Sequence, residues 1–504
     1  MSTTEYAYLA LALIVAAYVL PRFRFSVLWA IVTPLLACCL YVAMRVSGLA
    51  IAQAASAAVF LFAYTLIALE KIHKTKVALA GAGAMLLFGL VDQQTALHGQ
   101  GDVEGTDWNT IFLLVGMMII VSVTRHTGVF QWIAIKAAKL AKGEPVLIII
   151  FLCVVTAVLS AALDNVTTVL LLAPVTILIC ESLSLSPVPF LICVVLASNI
   201  GGTATLIGDP PNIMIGSSAK LSFVDFLIVD GPIAVVVLAV YLGTLWLMFR
   251  NKLKVTEEAR RTVMEFDETK AITDSRLLMR CGTVIGLVLL GFGLHGALHL
   301  EPATIALCGA AALLLIRRED PEDTLREVEW PTIFFFVGLF IMVSALVKTG
   351  VVRMIGEGII TATCGPDMGA GVALTLAQKT NLTLGVCWFS AIASGIVDNI
   401  PFVATMNAVI HDMAVSLHPD AAGADFFQVA HAPDILPLWW ALSLGACLGG
   451  NFTLVGASAN VVVAGIAERS KHPISFVEFM KYGIPITLQG IILSSIYLWL
   501  RFLR

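Results

Sequence analysis

Residues 164–174 read DNVTTVLLLAP, and residues 398–406 read DNIPFVATM. Each stretch sets a carboxylate beside an amide inside otherwise apolar sequence. Around them the chain of 504 residues is 59% hydrophobic and only 13% charged, with a mean hydropathy of +0.95. Soluble proteins carry a charged fraction of about 25%. Apolar runs recur at 7–20, 25–43, 51–69, 111–124, 233–249 and 484–500. A helix needs about 20 such residues to cross a bilayer. The runs do not alternate apolar with polar, so a membrane β-barrel is excluded. The fold class expected is an all-α polytopic membrane protein.

The first run follows Glu5 with no Lys or Arg before it, so it reads as a retained helix rather than a signal peptide. The ten cysteines fall mostly in apolar runs and form no CxxC pair, which makes them small core residues. No Walker A sequence, dinucleotide fingerprint or HExxH is present. An ATP-driven pump is therefore unsupported. No enzyme, no bound cofactor and no nucleic-acid partner are expected.

Lys and Arg collect in cytoplasmic loops. A path with the N-terminus outside puts Arg22, Arg24, Lys71, Lys74, Lys76, Arg125, Lys136, Lys139, Lys142, residues 250–280, Arg317, Arg318, Arg326, Arg469, Lys471 and Lys481 inside. The acidic loops 92–107 and 418–434 then lie outside. On this path 23 of the 30 Lys and Arg are inside. It gives about twelve crossings, with both termini outside.

The sequence also repeats. WNTIFLLVGMMIIVSVTRHTGV from Trp108 matches WPTIFFFVGLFIMVSALVKTGV from Trp330. SAALDNVTT from Ser160 matches SGIVDNIPF from Ser394, and GGTATLIGDPPNIMI from Gly201 matches GGNFTLVGASANVVV from Gly449. The order is kept, with offsets of 222, 234 and 248. On the charge path the Trp108 helix ends inside and the Trp330 helix ends outside, so the repeat is inverted. Inverted repeats with broken helices at the midplane are a signature of secondary transporters. The expected organisation is 1–48 as extra helices, 49–250 as the first repeat, 251–280 as a cytoplasmic linker and 281–504 as the second repeat.

Each half has two interruptions. The flanking segments 146–163 and 169–185 are short for full spans, so Asp164-Asn165 is expected at the tip of a re-entrant hairpin, and Asp398-Asn399 at the tip of a second. Irregular backbone at membrane depth is tolerated where it is buried in protein or lines a cavity. The other interruption is glycine-rich. Gly201, Gly202 and Gly208 allow positive φ and close approach, and Pro210-Pro211 stop a helix. Its partner, 449–460, lacks the prolines and has Ala457 in place of Asp209. These segments offer hard oxygen ligands suited to Na⁺ or to a small polar solute. The expected site is Asp164, Asn165, Thr167, Asn199, Gly202, Thr203, Thr205, Asp209, Asn212, Asp398, Asn399, Gly450, Asn451, Thr453, Ser458 and Asn460. Asp164, Asn165, Gly202, Asp398, Asn399 and Gly450 are the candidate Na⁺ ligands. An intramembrane Asp is functional by default. The bland alternatives are a turn former at Asp209 and helix caps at the asparagines.

ALDNVTTVLLLAPVTI, NIGGTATLIGDPPNIMI, DNIPFVATM and LGACLGGNFTLVGASANVVVAGIAE resemble the ion transporter superfamily. The resemblance is to the branch of the melanosomal P protein, the arsenite-efflux permeases and a class of Na⁺/H⁺ antiporters. It covers residues 50–500, with Phe452 a departure where a glycine is expected. It implies an elevator-type carrier, in which two hairpins and two broken helices slide against a scaffold, and a homodimer. Dicarboxylate carriers of the superfamily have Ser-Asn-Thr at the hairpin tips, whereas this chain has Asp-Asn.

Two carboxylates near one site repel a dicarboxylate, and no Lys or Arg occurs in any of the four motifs. The expectation is therefore an antiporter coupled to H⁺ or Na⁺. It would move a cation or a neutral weak acid such as arsenite, in the plasma (inner) membrane of a bacterium. A Na⁺-coupled carrier of dicarboxylates or other organic anions is the alternative, and a channel is a third reading.

Overall fold

A computed structural model describes residues 27–69, 71–100, 103–317, 320–365, 374–419 and 426–504. The expected first helix at 7–20 and the cations Arg22, Arg24 and Arg318 lie outside the described residues. Among these residues the chain is helical, and its only bridge is an isolated one between Gln100 and Val103.

In chain order the first half holds α1 (Val27–Val46), α2 (Ile51–Ala68), α3 (Lys74–Leu87), α4 (Gln93–His98), α5 (Trp108–Arg125), α6 (Val129–Leu140), α7 (Pro145–Ala162), α8 (Asn165–Ser182), α9 (Val188–Gly202), α10 (Pro210–Ala219) and α11 (Phe223–Phe249). The linker carries α12 (Glu257–Met264). The second half holds α13 (Ser275–Leu298), α14 (Pro302–Ile316), α15 (Pro321–Arg326), α16 (Trp330–Lys348), α17 (Val351–Cys364), α18 (Leu376–Ile396), α19 (Asn399–Leu417), α20 (Phe426–Ala430), α21 (Leu436–Gly449), α22 (Ser458–Arg469) and α23 (Phe476–Phe502). Nine of these, among the described residues, are long and apolar enough to cross a membrane: α2, α5, α7, α8, α11, α13, α16, α19 and α23. The chain is an all-α polytopic membrane protein.

The chain forms two compact units, and each draws on both halves of the sequence. The first gathers α1–α4, α16, α17 and the C-terminal part of α19. Here α16 lies along α3 and α1 along α2. Gly338 makes the first contact possible, because a Cβ there would come within 2.8 Å of the Ala78 carbonyl oxygen. Small residues at helix contacts are the usual device where lipid gives no hydrophobic drive. Thr75 Oγ1 donates to the Pro331 carbonyl at 2.6 Å, and the Ser56 and Thr349 hydroxyls meet at 2.7 Å.

The second unit carries the first hairpin, the first helix and tip of the second, and both glycine-rich breaks. In it α7 packs along α9, and α18 packs along α21 in the same way. Gly201 sits on the backbone of Ala157, and Gly449 on that of Ala391. The unit also shows a fourth matching pair. α11 and α23 both run for 27 residues. Ser222 and Ser475 cap them by accepting from the Asp225 and Glu478 amides, and Pro232 and Pro485 stand ten residues past each cap. The offset of both features is 253.

Ion pairs at the helix ends join segments that the charge path puts on one side. Arg260 meets Glu144 at 2.6 Å, Lys139 meets Glu268 at 2.5 Å and His126 meets Glu327 at 2.8 Å. These segments are all expected inside. Lys348 pairs with Asp92, and Arg353 with Asp412 at 3.6 Å, between segments expected outside. The Lys139 hydrogen bond holds the Glu268 carboxyl down to about 2.

Candidate functional site: two hairpin tips on two broken helices

The helices of the first hairpin, α7 and α8, are 18 residues each, roughly 27 Å at 1.5 Å per residue. These are close to the lengths of the expected segments 146–163 and 169–185, and length alone would allow a crossing. Depth is set instead by what the tip touches. Only Leu163 and Asp164 separate α7 from α8, and this tip is bonded to the α9–α10 segment where that helix breaks. Asn165 Nδ2 donates to Asn199 Oδ1 at 3.2 Å and to Asp209 Oδ1 at 3.1 Å. Ser198 Oγ donates to the Asn165 carbonyl at 3.2 Å. The second tip meets the α21–α22 break. There Ser458 Oγ donates to Asp398 Oδ2 at 2.5 Å, and the Asn399 amide donates to the Gly456 carbonyl at 3.2 Å.

Both breaks are built alike. The Asn212 Nδ2 group gathers the carbonyls of Gly202, Thr203 and Thr205 at 3.0–3.4 Å. Asn460 Nδ2 does the same for Gly450 and Thr453 at 2.8 and 3.0 Å. Thr205 Oγ1 donates to the Ala161 carbonyl at 2.5 Å, and Thr453 Oγ1 to the Gly395 carbonyl at 2.6 Å. Each of these two hydroxyls thus staples a break to a hairpin. Thr203 Oγ1 closes the end of α9 on the Asn199 carbonyl at 2.8 Å. The glycines work by close approach and not, as the sequence also allowed, by positive φ: neither Gly201, Gly202 nor Gly208 has a positive φ. A Cβ on Gly208 would lie 2.6 Å from the Gly202 carbonyl oxygen, and one on Gly456 2.7 Å from that of Gly450. Phe452, where a glycine was expected, covers Gly395 of the second hairpin.

Asp209 lies where these parts converge. It is 1% exposed and stands at the N-cap of α10, yet its side chain caps nothing. Pro210 and Pro211 remove the first two amides of the helix, and the third, of Asn212, donates to the Asp209 carbonyl at 2.9 Å rather than to its carboxylate. The carboxylate instead reaches across to both hairpins: Oδ1 accepts from Asn165, and Oδ2 accepts from Asn399 Nδ2 at 3.2 Å. A plain turn former would use its own backbone, and Asp209 does not. The asparagines are likewise more than caps. Asn199 Nδ2 donates to Asn451 Oδ1 at 2.8 Å and to Asn460 Oδ1 at 3.1 Å, which ties the first half to the second.

The structure therefore brings together every residue the sequence pointed to. Asp164, Asn165 and Thr167 form one tip; Asp398 and Asn399 form the other. Asn199, Gly202, Thr203, Thr205, Asp209 and Asn212 form one break, and Gly450, Asn451, Thr453, Ser458 and Asn460 the other. No Lys or Arg among the described residues makes an ion pair with Asp164 or Asp209. Asn165 is 3% exposed, and its Oδ1 is buried with no hydrogen-bond partner. A donor or a cation would complete it. Four helix N-termini, those of α8, α10, α19 and α22, converge here, each bringing partial positive charge.

Three neighbours escaped the sequence reading. Cys447 stands 248 residues after Asn199 and touches Asn212 as Asn199 touches Asn460, with Sγ 3.3 Å from Asn212 Oδ1. Ser443 Oγ lies 2.8 Å from the same oxygen. Asp230, in α11, is fully buried 2.6 Å from Ser443. The apolar run was read as starting at residue 233, which left Asp230 at its edge; the helix begins at Phe223. An Asp two turns inside a membrane helix was the available signal.

Comparison with known proteins places this architecture. The profile of a family described as "Citrate transporter" matches residues 64–445. A "46 kDa membrane protein" of Mycobacterium leprae is 46% identical over 445 residues, covering 88% of this chain and 98% of that protein. The mouse "P protein" is 35% identical over 528 residues, covering 89% of this chain and 60% of that protein. Among solved structures, the Alcanivorax borkumensis YdaH transporter aligns over 85% of this chain and 97% of its own, at 13% identity and a TM-score of 0.49. With its family profile and near-full-length relatives, this chain belongs to the citrate transporter family, within the ion transporter superfamily, and is a membrane transporter.

Proposed function

We propose that the chain is a secondary active antiporter, coupled to H⁺ or Na⁺, that moves a cation or a neutral weak acid through the site between the two hairpin tips. The observation that carries this reading is the charge inventory of the site. Asp164, Asp209 and Asp398 converge, Asp164 and Asp209 with no ion pair to Lys or Arg among the described residues, and the buried Asn165 Oδ1 lacks a donor. Carboxylates, amide oxygens and broken-helix carbonyls form a hard-oxygen environment fitted to Na⁺ or a proton. Asp164, Asn165, Gly202, Asp398, Asn399 and Gly450 are the residues that would hold Na⁺. Anion sites instead supply an Arg or Lys clamp.

In this reading the hairpins and broken helices travel together as the cargo-carrying part of an elevator. The placement of the first hairpin, both hairpin tips and both breaks in one compact unit supports that. A homodimer in the plasma membrane of a bacterium, with both termini outside, completes the proposal.

A second reading, organic-anion transport, is favoured by the family's description and by the four converging helix N-termini. The test is transport by the purified full chain in proteoliposomes holding a pH-sensitive dye, with Na⁺, Li⁺, K⁺, arsenite, succinate and citrate added in turn. A pH change driven by an alkali cation or by arsenite is expected. A response to citrate or succinate alone sinks the proposal in favour of the second reading.

A further inference from the structure

Behind the hairpin site runs a line of buried groups from Asp230 to Asn212. Asp230 is 0% exposed, and its Oδ1 has no hydrogen-bond partner. Its Oδ2 lies 2.6 Å from Ser443 Oγ. Ser443 Oγ is also 2.8 Å from Asn212 Oδ1, and Cys447 Sγ is 3.3 Å from that same oxygen. Cys447 stands one turn beyond Ser443 on α21. The titratable and charged groups facing Asp230 are Cys387 on α18, Cys447 on α21, and Tyr497 and Arg501 on α23. Arg501 makes no ion pair with Asp230: Nη1 donates to the Ile228 carbonyl at 3.0 Å and to the Tyr497 hydroxyl at 2.6 Å. Tyr497 in turn donates to the Val229 carbonyl at 2.6 Å.

From this geometry we infer that Asp230 is a proton-binding site, separate from the hairpin site, whose occupancy is reported to Asn212 at the first break through Ser443. The inference follows from counting hydrogens. A serine hydroxyl has one to donate, and here it stands between two acceptors. With Asp230 ionised, Ser443 donates to Asp230. Asn212 Oδ1 is then served by the Cys447 thiol alone. When a proton from the medium binds Asp230, the carboxyl donates to Ser443 Oγ. The Ser443 hydrogen turns to Asn212 Oδ1, whose two lone pairs then accept from both Ser443 and Cys447. One proton at Asp230 thus adds one hydrogen bond at Asn212, which gathers the carbonyls of the first break.

The device exists in one half only. Gly483 stands 253 residues after Asp230, and Val195 stands 248 residues before Ser443. Neither can take part, so an internal repeat has gained an added proton site in its first copy.

The S–H stretching band of Cys447 reads this directly. Infrared difference spectra of the purified full chain in lipid nanodiscs, taken across a pH series, would identify the band by its loss in Cys447→Ala. The inference predicts that the wild-type band shifts with pH as the thiol comes to share its acceptor, Asn212 Oδ1, with Ser443. In Asp230→Asn the side-chain amide donates to Ser443 as the protonated acid would. The band should then sit at its low-pH position throughout. If Asp230→Asn does not fold, Ser443→Ala is the second arm, and there too the band should no longer follow pH. A wild-type band that ignores pH, or one that still follows pH in either variant, overturns the inference. No transported solute is needed, so the outcome is independent of the antiport reading.

Discussion

The two hairpin tips carry the same Asp-Asn pair and use it differently, and the cause is one residue. Three positions after Asp164 stands Thr167. Asp164 accepts from its amide at 2.7 Å and from its hydroxyl at 2.5 Å, so the carboxylate is folded back onto its own helix. Three positions after Asp398 stands Pro401, which has no amide hydrogen. Asp398 takes the Ile400 amide at 3.2 Å and turns outward to Ser458 on the second broken helix. The first half cannot return that contact, because Ser458 is matched there by Pro210. The breaks differ in the complementary sense. The first supplies Asp209, held by both hairpin asparagines, and the second has Ala457. A scaffold of repeated parts thus carries an asymmetric charge arrangement.

Among the features in which the halves differ, the largest expected effect comes from removing the carboxylate they do not share. Asp209→Asn should leave a folded protein whose coupled transport falls on the order of 100-fold, about 2.7 kcal/mol. A wild-type rate in the dye assay would show that the asymmetry does not matter. Next come the glycines that the halves do share. Gly208→Ala and Gly456→Ala each force a Cβ against a carbonyl and should destabilise by about 1–3 kcal/mol. Thermal melts in nanodiscs would read this. Gly243→Ala, with nothing within 4 Å of the new Cβ, should be neutral or slightly stabilising. A tolerant Gly456 beside an intolerant Gly208 would mean that the breaks are not built alike.

Smaller again is Ser458→Ala. It removes one donor from Asp398 and should slow transport roughly tenfold, in keeping with a hydrogen bond to a charged group. Adding Pro401→Thr supplies the partner that Thr167 gives Asp164 and should recover part of the loss. No recovery would break the explanation of the tips. The smallest effect lies far from the site. Lys139 holds Glu268 down to about 2, so that contribution is present above the ordinary carboxylate range and is lost as pH falls through about 2. Lys139→Ala should flatten this acid limb in melts taken against pH while transport is unchanged.

The hairpins and breaks were legible in the sequence because their motifs recur nearly intact and because Asp, Asn, Gly and Pro are conspicuous in apolar sequence. The pairing of α11 with α23 was hidden, since they share a serine cap and a proline but little else. Asp230, Ser443 and Cys447 were missed for a related reason. Each belongs to one half only, so no repeat pointed to it, and a buried Ser or Cys in a membrane helix reads as small core. Which carboxylate caps its own helix and which reaches outward also could not be read from DN alone. It depends on the residue three positions on and on a helix some 60 residues away.

The central claim is that these carboxylates couple proton or Na⁺ movement to the cargo. Its most direct test is exchange driven by a pH step in proteoliposomes, comparing the wild type with Asp164→Asn and Asp398→Asn, each verified as folded by its melting curve. The account predicts that both substitutions abolish coupled exchange. Exchange at the wild-type rate and with the wild-type pH dependence in both would contradict it.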